Sequence, residues 1–345
     1  MDQIFFISAR HRTTEDGGIY TCSLTASGEP SVISSTPLLN SGYLALDRSK
    51  KVLYASFGAD ENSDAAAAFT IEENGSLAPL GKCVTSGGMS SCHIAVSPER
   101  NFLYTANYLS GSFTEFRLAP DGSIAAKTRI IRHQGRGLDK TRQEMPHPHC
   151  CVFSPDSKFL TVADLGNDTI YSYPFDENNG IDEKNVIQNH LEAGCGPRHI
   201  LFDRNNLLAY IITELGNSLI SFKFDDGKFT LLDELLLLPR GVTCPTKAAA
   251  LRFSDDQAFI VCSNRGFDSL AVVELDSEGG IFPASLTLSG GSNPRDINFL
   301  GKNFFAVANE FANEVRFFDF DDSIGNLTPN GYLLKMPCPR CIIPL

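Results

Sequence analysis

One kind of segment returns seven times along this chain, and that recurrence limits the fold more than any other feature. Short apolar strands end at equivalent places: FFISAR at Arg10, VLYASF at Phe57, NFLYTAN at Asn107, KFLTVAD at Asp164, AYIITE at Glu214, AFIVCSN at Asn264 and FFAVAN at Asn309. In several units an inner apolar strand precedes this segment (SCHIAVSP, HCCVFSP, RHILFD). A third strand follows in most of them, with apolar and polar residues alternating (GSFTEFRL, DTIYSYPF, NSLISFKF, DSLAVVEL, NEVRFFDF). Period-two alternation marks half-buried strands. Turns such as APDG, DENNG and DDG then lead to a more variable fourth strand. Four short antiparallel strands repeated about every 50 residues form the pattern of a propeller blade. The expected fold is therefore all-β, a seven-bladed β-propeller occupying residues 1–345 as one domain.

The ends of the chain predict how the ring closes. The first unit, MDQIFFISAR, lacks an inner strand, and the chain finishes on PRCIIPL, which reads as an inner strand with nothing after it. The last strand is expected to complete the blade begun by the first, pairing the termini and leaving no frayed edge.

Two columns of the repeat are expected to meet at one mouth of the central channel, because adjacent antiparallel strands place the start of one beside the end of the other. The first column, at the start of each inner strand, is Gly42, Cys92, His149, Arg198, Ala249, Arg295 and Arg340. The second holds the aligned strand end and the residue after it: Arg10/His11, Phe57/Gly58, Asn107/Tyr108, Asp164/Leu165, Glu214/Leu215, Asn264/Arg265 and Asn309/Glu310. The four cations of the first column each follow a proline (Pro148, Pro197, Pro294, Pro339), which fixes φ and helps hold the next side chain in place. Such charges could staple blades together or sit solvated on the rim. Their clustering at one repeat position fits a pocket for a small anion, a carboxylate or phosphate held by forked hydrogen bonds. A carboxylate and an imidazole beside them could serve as general base and acid. Cations beside Glu214 would lower its pKa and burial would raise it, and the sequence leaves that balance open.

The longest insertion, from Arg129 to His149, carries Arg132, His133, Arg136, Lys140 and Arg142. It reads either as a solvated surface loop or as one that folds over the mouth. A second, weaker candidate is LPRGVTCPTK, with Arg240 and Lys247. His147 and His149, two apart, would share a strand face, but no third ligand with convincing spacing accompanies them, so no metal is expected. His199 is expected to point into the sheet as a hydrogen-bonded structural histidine.

Composition narrows the class. With 41 acidic against 29 basic residues, the net charge is −12, which argues against nucleic acid or an anionic membrane as partner. No apolar run approaches the ~20 residues of a membrane helix, and the N-terminus has no basic start before an apolar core as a signal peptide would. The ten cysteines lie largely inside strand patterns, where free thiols act as small hydrophobes. Cys338 and Cys341 form an isolated CxxC without the second pair of a zinc site. A reducing, cytoplasmic setting is expected, and nothing in the sequence argues for an oligomer over a monomer. Nucleotide motifs (GxGxxG, GxxxxGK[ST]) and the GxSxG elbow are missing.

The segments PHPHCCVFSPDSKFLTVADLGNDTIYSY, GCGPRHILF, TELGNSLISF, CSNRG and NPRDINF resemble the lactonase family of seven-bladed propellers. That family includes bacterial propeller-type 6-phosphogluconolactonases and fungal carboxy-cis,cis-muconate cyclases, and the resemblance covers nearly the whole chain. It implies that the His, two Arg and Glu implicated in the cyclases fall here on His149, Arg198, Arg265 and Glu214, four positions already singled out by the two columns. GPRH and NPRDINF look closer to the bacterial lactonase branch. The expected activity is hydrolysis of a sugar δ-lactone, 6-phosphogluconolactone first. Glu214 or His149 would activate water, and Arg198 and Arg265 would stabilise the oxyanion. Arg295 and Arg340, with Arg10, Asn107, Asp164, Asn264 and Glu310 nearby, would form the substrate and phosphate side. No cofactor is required, since a lactone is already an activated ester. The alternatives are a muconate-type lactonising cyclase using the same constellation, and a non-enzymatic propeller that binds a peptide or protein on its mouth.

Overall fold

A computed structural model describes residues 3–11, 17–49, 51–60, 62–205 and 207–345. Seven antiparallel sheets follow one another around a ring. We number the blades by their innermost strands: Ser41–Asp47 (blade 1), Ser91–Val96 (2), Pro148–Phe153 (3), Pro197–Phe202 (4), Lys247–Phe253 (5), Pro294–Phe299 (6) and Pro339–Pro344 (7). Blade 7 is closed as the termini predict: Pro339–Pro344 pairs antiparallel with the N-terminal strand Gln3–Ala9, and Gly18–Leu24 and Pro30–Pro37 complete the sheet. The outermost strand is split into two short pieces in blades 1 and 3. A single 3₁₀ turn, Tyr108–Ser110, interrupts the strands among the described residues, and it lies at the channel mouth.

The core lies between blades. Tyr54 of blade 1 packs with Leu103 and Phe116 of blade 2, and its hydroxyl donates to the Gly122 carbonyl across that interface at 2.9 Å. Phe5, Ile7 and Ile342 of blade 7 pack with Val315 and Phe317 of blade 6. Each such side chain contributes about 1.5–3 kcal/mol of transfer free energy, so every interface holds two blades and the ring resists opening at any one of them. All ten cysteines are free thiols.

Every innermost strand breaks register at the same place. Against its neighbour, each ladder skips at Gly42, Cys92, His149, Arg198, Ala249, Arg295 or Arg340. These are β-bulges, which leave a residue unpaired and re-aim its side chain. The first sequence column is therefore the set of bulged residues. Five of the seven strands are entered through a residue in the left-handed region: Asn40, Ser90, Gly196, Asn293 and Cys338.

Candidate functional site at the channel mouth

The pairing register corrects the second column. The residues facing the inner-strand position just before each bulge are Ala9, Phe57, Asn107, Asp164, Thr213, Asn264 and Asn309; that position is the strand's first residue except in blade 5, where it is Ala248. The equivalents one step further are Arg10, Gly58, Tyr108, Leu165, Glu214, Arg265 and Glu310. The sequence alignment thus mixed two positions, because it placed each strand end at its polar residue. The strand-end residues point into their own blades. Asn107 is fully buried and donates to Ser112 and Thr114 hydroxyls at 3.3 and 2.9 Å. Asn264 is fully buried and donates to the Ser269 hydroxyl at 3.4 Å. Asp164, also fully buried, pairs with His133 Nδ1 at 2.6 Å and accepts from the His147 N–H at 2.7 Å. These three do not join the others at the mouth; Asp164 ties down the long insertion instead. Of the residues one step on, Tyr108, Glu214, Arg265 and Glu310 meet the arginines of the mouth.

Glu214 is the hub of one group. Its Oε2 accepts from Arg198 Nε at 3.1 Å and Arg265 Nη2 at 2.7 Å. Its Oε1 accepts from Arg142 Nη2 at 2.5 Å. The insertion therefore folds over the mouth, and Arg142 Nη2 also donates to the Tyr108 hydroxyl at 3.2 Å. Arg265 spends further donors on the Lys247 and Ala248 carbonyls, and Arg198 on the Ala249 carbonyl. Burial works to raise the Glu214 carboxyl, but Arg265, Arg198, His149 and Arg142 outweigh it and hold it well below the usual range. Burial, then Arg265, pushes the Arg198 guanidinium down to about 10.

His149 stands beside this group. Its ring lies edge-on to Tyr108 at 5.8 Å and to His199 at 5.4 Å. Its Nδ1 is buried without a hydrogen-bond partner. Burial, then Arg198, lowers its pKa well below the ordinary value, with Glu214 opposing. His147, on the other hand, lies flat on Tyr108 at 4.2 Å and bonds the Tyr108 carbonyl through Nδ1. His199 does not point into the sheet. The bulge at Arg198 turns it toward the channel, where its ring meets those of Tyr43 and His93 at 5.8 and 5.5 Å.

A second group repeats the plan two blades on. In each, a carboxylate meets the bulged arginine of its own blade and one arginine of the next. Glu310 Oε2 lies 3.6 Å from Arg295 Nη1 and accepts from Asn293 Nδ2 at 2.7 Å; Glu310 Oε1 pairs with Arg340 Nη2. Burial, then Arg295, pushes Arg340 down to about 9, and its Nε is buried without a partner. Arg295 and Arg340 line a cavity of about 360 Å³ together with Arg10, Asn40, Asp64 and Ser91. Asn40, Asp64 and Ser91 went unnoticed in the sequence. The available signal was glycine at both mouth positions of blade 1, Gly42 and Gly58.

Among the described residues no helix is long and apolar enough to cross a membrane. The family model described as lactonase, seven-bladed β-propeller, matches residues 5–344. A 6-phosphogluconolactonase of Bacillus subtilis is 31% identical over 334 residues, 94% of this chain and 93% of the relative. A solved structure from Lactobacillus plantarum superposes with a TM-score of 0.92 at 28% identity, covering 100% of both chains. A Pseudomonas aeruginosa periplasmic gluconolactonase, at 22% identity, TM-score 0.94 and 100% and 99% coverage, shares the fold. On the family match over nearly its whole length, this chain belongs to the lactonase family of seven-bladed β-propellers.

Proposed function

We propose that this protein hydrolyses a sugar δ-lactone, 6-phosphogluconolactone being the leading substrate, and that the reaction runs at the Glu214 group. The observation that carries the reading is a buried carboxylate tied to three guanidiniums beside a histidine whose Nδ1 has no partner. Glu214, held ionised and saturated with donors, is a poor proton acceptor. His149, held neutral, is the better base. It would take a proton from water as the oxygen attacks the lactone carbonyl. The tetrahedral oxyanion would lie against Arg265 and Arg142, whose side chains keep 10% and 24% exposure, whereas Arg198 at 3% holds Glu214 from below. Collapse breaks the ring C–O bond, and the protonated His149 returns its proton to the departing ring oxygen, giving the open hydroxy acid. Each guanidinium has five N–H donors, and the contacts above occupy only part of them. The phosphate would sit at Arg10, Arg295 and Arg340, whose charge Glu310 only partly offsets.

The test is turnover of freshly generated 6-phosphogluconolactone, corrected for spontaneous opening, in wild type, His149→Gln and Arg265→Ala. A wild-type rate well above background that drops about 10²–10³-fold in Arg265→Ala, and at least as far in His149→Gln, is the expected result. A wild-type rate equal to background on both this lactone and gluconolactone sinks the reading.

A further inference from the structure

The cavity of the second group opens where blade 1 carries glycine at both mouth positions, Gly42 and Gly58. A Cβ on Gly42 would come within 2.7 Å of Ser56 Oγ and 3.0 Å of the Ser91 carbonyl, and one on Gly58 within 3.1 Å of Asn40 Cβ. Every other blade has a side chain at the equivalent positions, Arg, Glu, His or Tyr in most of them and Cys92, Ala249 and Leu165 in the rest. The residues left around it carry both signs of charge. Arg10, Arg295 and Arg340 line it, and so do the carboxylates Asp60 and Asp64 with Ser63 and Ser90. Asp64 begins the strand Asp64–Ile71 and accepts the Ser91 N–H, which fixes its carboxylate at the cavity wall. Burial raises its pKa against the pull of Ser91 and Arg10, and Asp60 adds to the rise.

A pocket built only for phosphate or a dicarboxylate has no use for a carboxylate, which repels both. A ligand with an anion at one end and hydroxyls along its length satisfies both kinds of group: guanidiniums take the anion, and Asp64 accepts O–H bonds. We propose that Asp64 is the residue by which this mouth selects polyhydroxylated, sugar-derived anions over hydroxyl-free anions. The proposal rests on the lactone reading for the identity of the mouth as the binding site. Its physical basis is that a site built to bond a hydroxyl rejects ligands that lack one, because its own polar group is then left unpaired.

Calorimetric titration with 6-phosphogluconate, inorganic phosphate and adipate checks this without turnover, in wild type, Asp64→Ala and Asp64→Asn. Wild type is expected to bind 6-phosphogluconate well above the other two. Asp64→Ala should weaken 6-phosphogluconate at least tenfold while phosphate and adipate hold or tighten, and Asp64→Asn, which retains an acceptor oxygen, should recover part of the loss. Equal weakening of all three ligands would mean a merely structural role and overturn the proposal, as would an unchanged 6-phosphogluconate affinity or a wild type that binds none of them. Sugar-phosphate binding that depends on Asp64 in a protein without lactone turnover would leave this proposal standing and remove the hydrolytic one.

Discussion

At the scale of single residues, the choice of base turns on what surrounds two side chains. Three arginines claim both oxygens of Glu214, whereas His149 keeps a buried nitrogen unpartnered and a pKa well below its ordinary value. A histidine base acts only when neutral. With its pKa depressed, it stays neutral as pH falls through about 6.5, where an unperturbed imidazole is half protonated. The profile of kcat/KM for lactone opening is therefore expected to stay flat from pH 7.5 past 6, falling only in stronger acid; a midpoint near 6.5 would exclude a base in this environment. Glu214→Gln is a poor probe of the same question. It leaves nearly buried guanidiniums without their counter-charge, a loss of about 3–5 kcal/mol when one member of a buried pair is removed, so stability and activity would fall together.

At the scale of elements, the insertion between blades 2 and 3 reaches across the mouth to the carboxylate of blade 4. It is pinned at both ends, by His133 on Asp164 and by Gln143, which donates to Asp168 at 2.7 Å and to the Leu165 carbonyl at 2.9 Å. Between these anchors it delivers Arg142 to Glu214. Because Arg142 is partly exposed and Glu214 keeps two other arginines, Arg142→Ala is expected to cost no more than about 1 kcal/mol of stability while lowering kcat/KM about tenfold or more, read from thermal melts beside lactone turnover. A variant as active as wild type would make the loop a bystander. The sequence supplied the loop's cations but not their destination, since nothing local distinguishes Arg142 from Arg136 or Arg132. The bulged column was legible because Pro before His149, Arg198, Arg295 and Arg340 marks the start of each inner strand. The other column slipped by one because Asn107, Asp164 and Asn264 are polar yet buried within their blades; polarity there reports internal hydrogen bonds, and Thr213 fills the same place in blade 4 one residue before Glu214.

At the scale of the whole molecule, the ring gathers its inner strands around one axis, and three buried histidines from blades 2, 3 and 4 meet there. His93 stacks on Tyr43 at 4.4 Å and touches His199, which in turn touches His149. Arg252 crosses beside them, donating to the Tyr43 hydroxyl at 3.0 Å and pairing with Asp296 at 2.9 Å, so blades 1, 5 and 6 are tied at the same level. Burial, then Arg252 and Arg198, pushes His93 down to about 3, and burial followed by Arg198 holds His199 and His149 well below the ordinary value. The direction of linkage follows. The unfolded chain protonates these histidines near pH 6.5 and the folded ring does not, so their contribution is complete above that pH and is lost as pH falls from about 6.5 toward the folded values. Each uncompensated proton steepens the loss by about 1.4 kcal/mol per pH unit, about 4 for three together. The depressed carboxyl of Glu214 adds a loss of the same sign, but it begins only as pH falls to about 4.3, the unfolded carboxylate value, so above pH 5 the histidines act without it. Urea midpoints at pH 7.5, 6.0 and 5.0 should fall steeply in wild type and less steeply in His93→Asn, which removes one of the three protons; identical slopes would mean that the channel histidines take up protons without opening the ring.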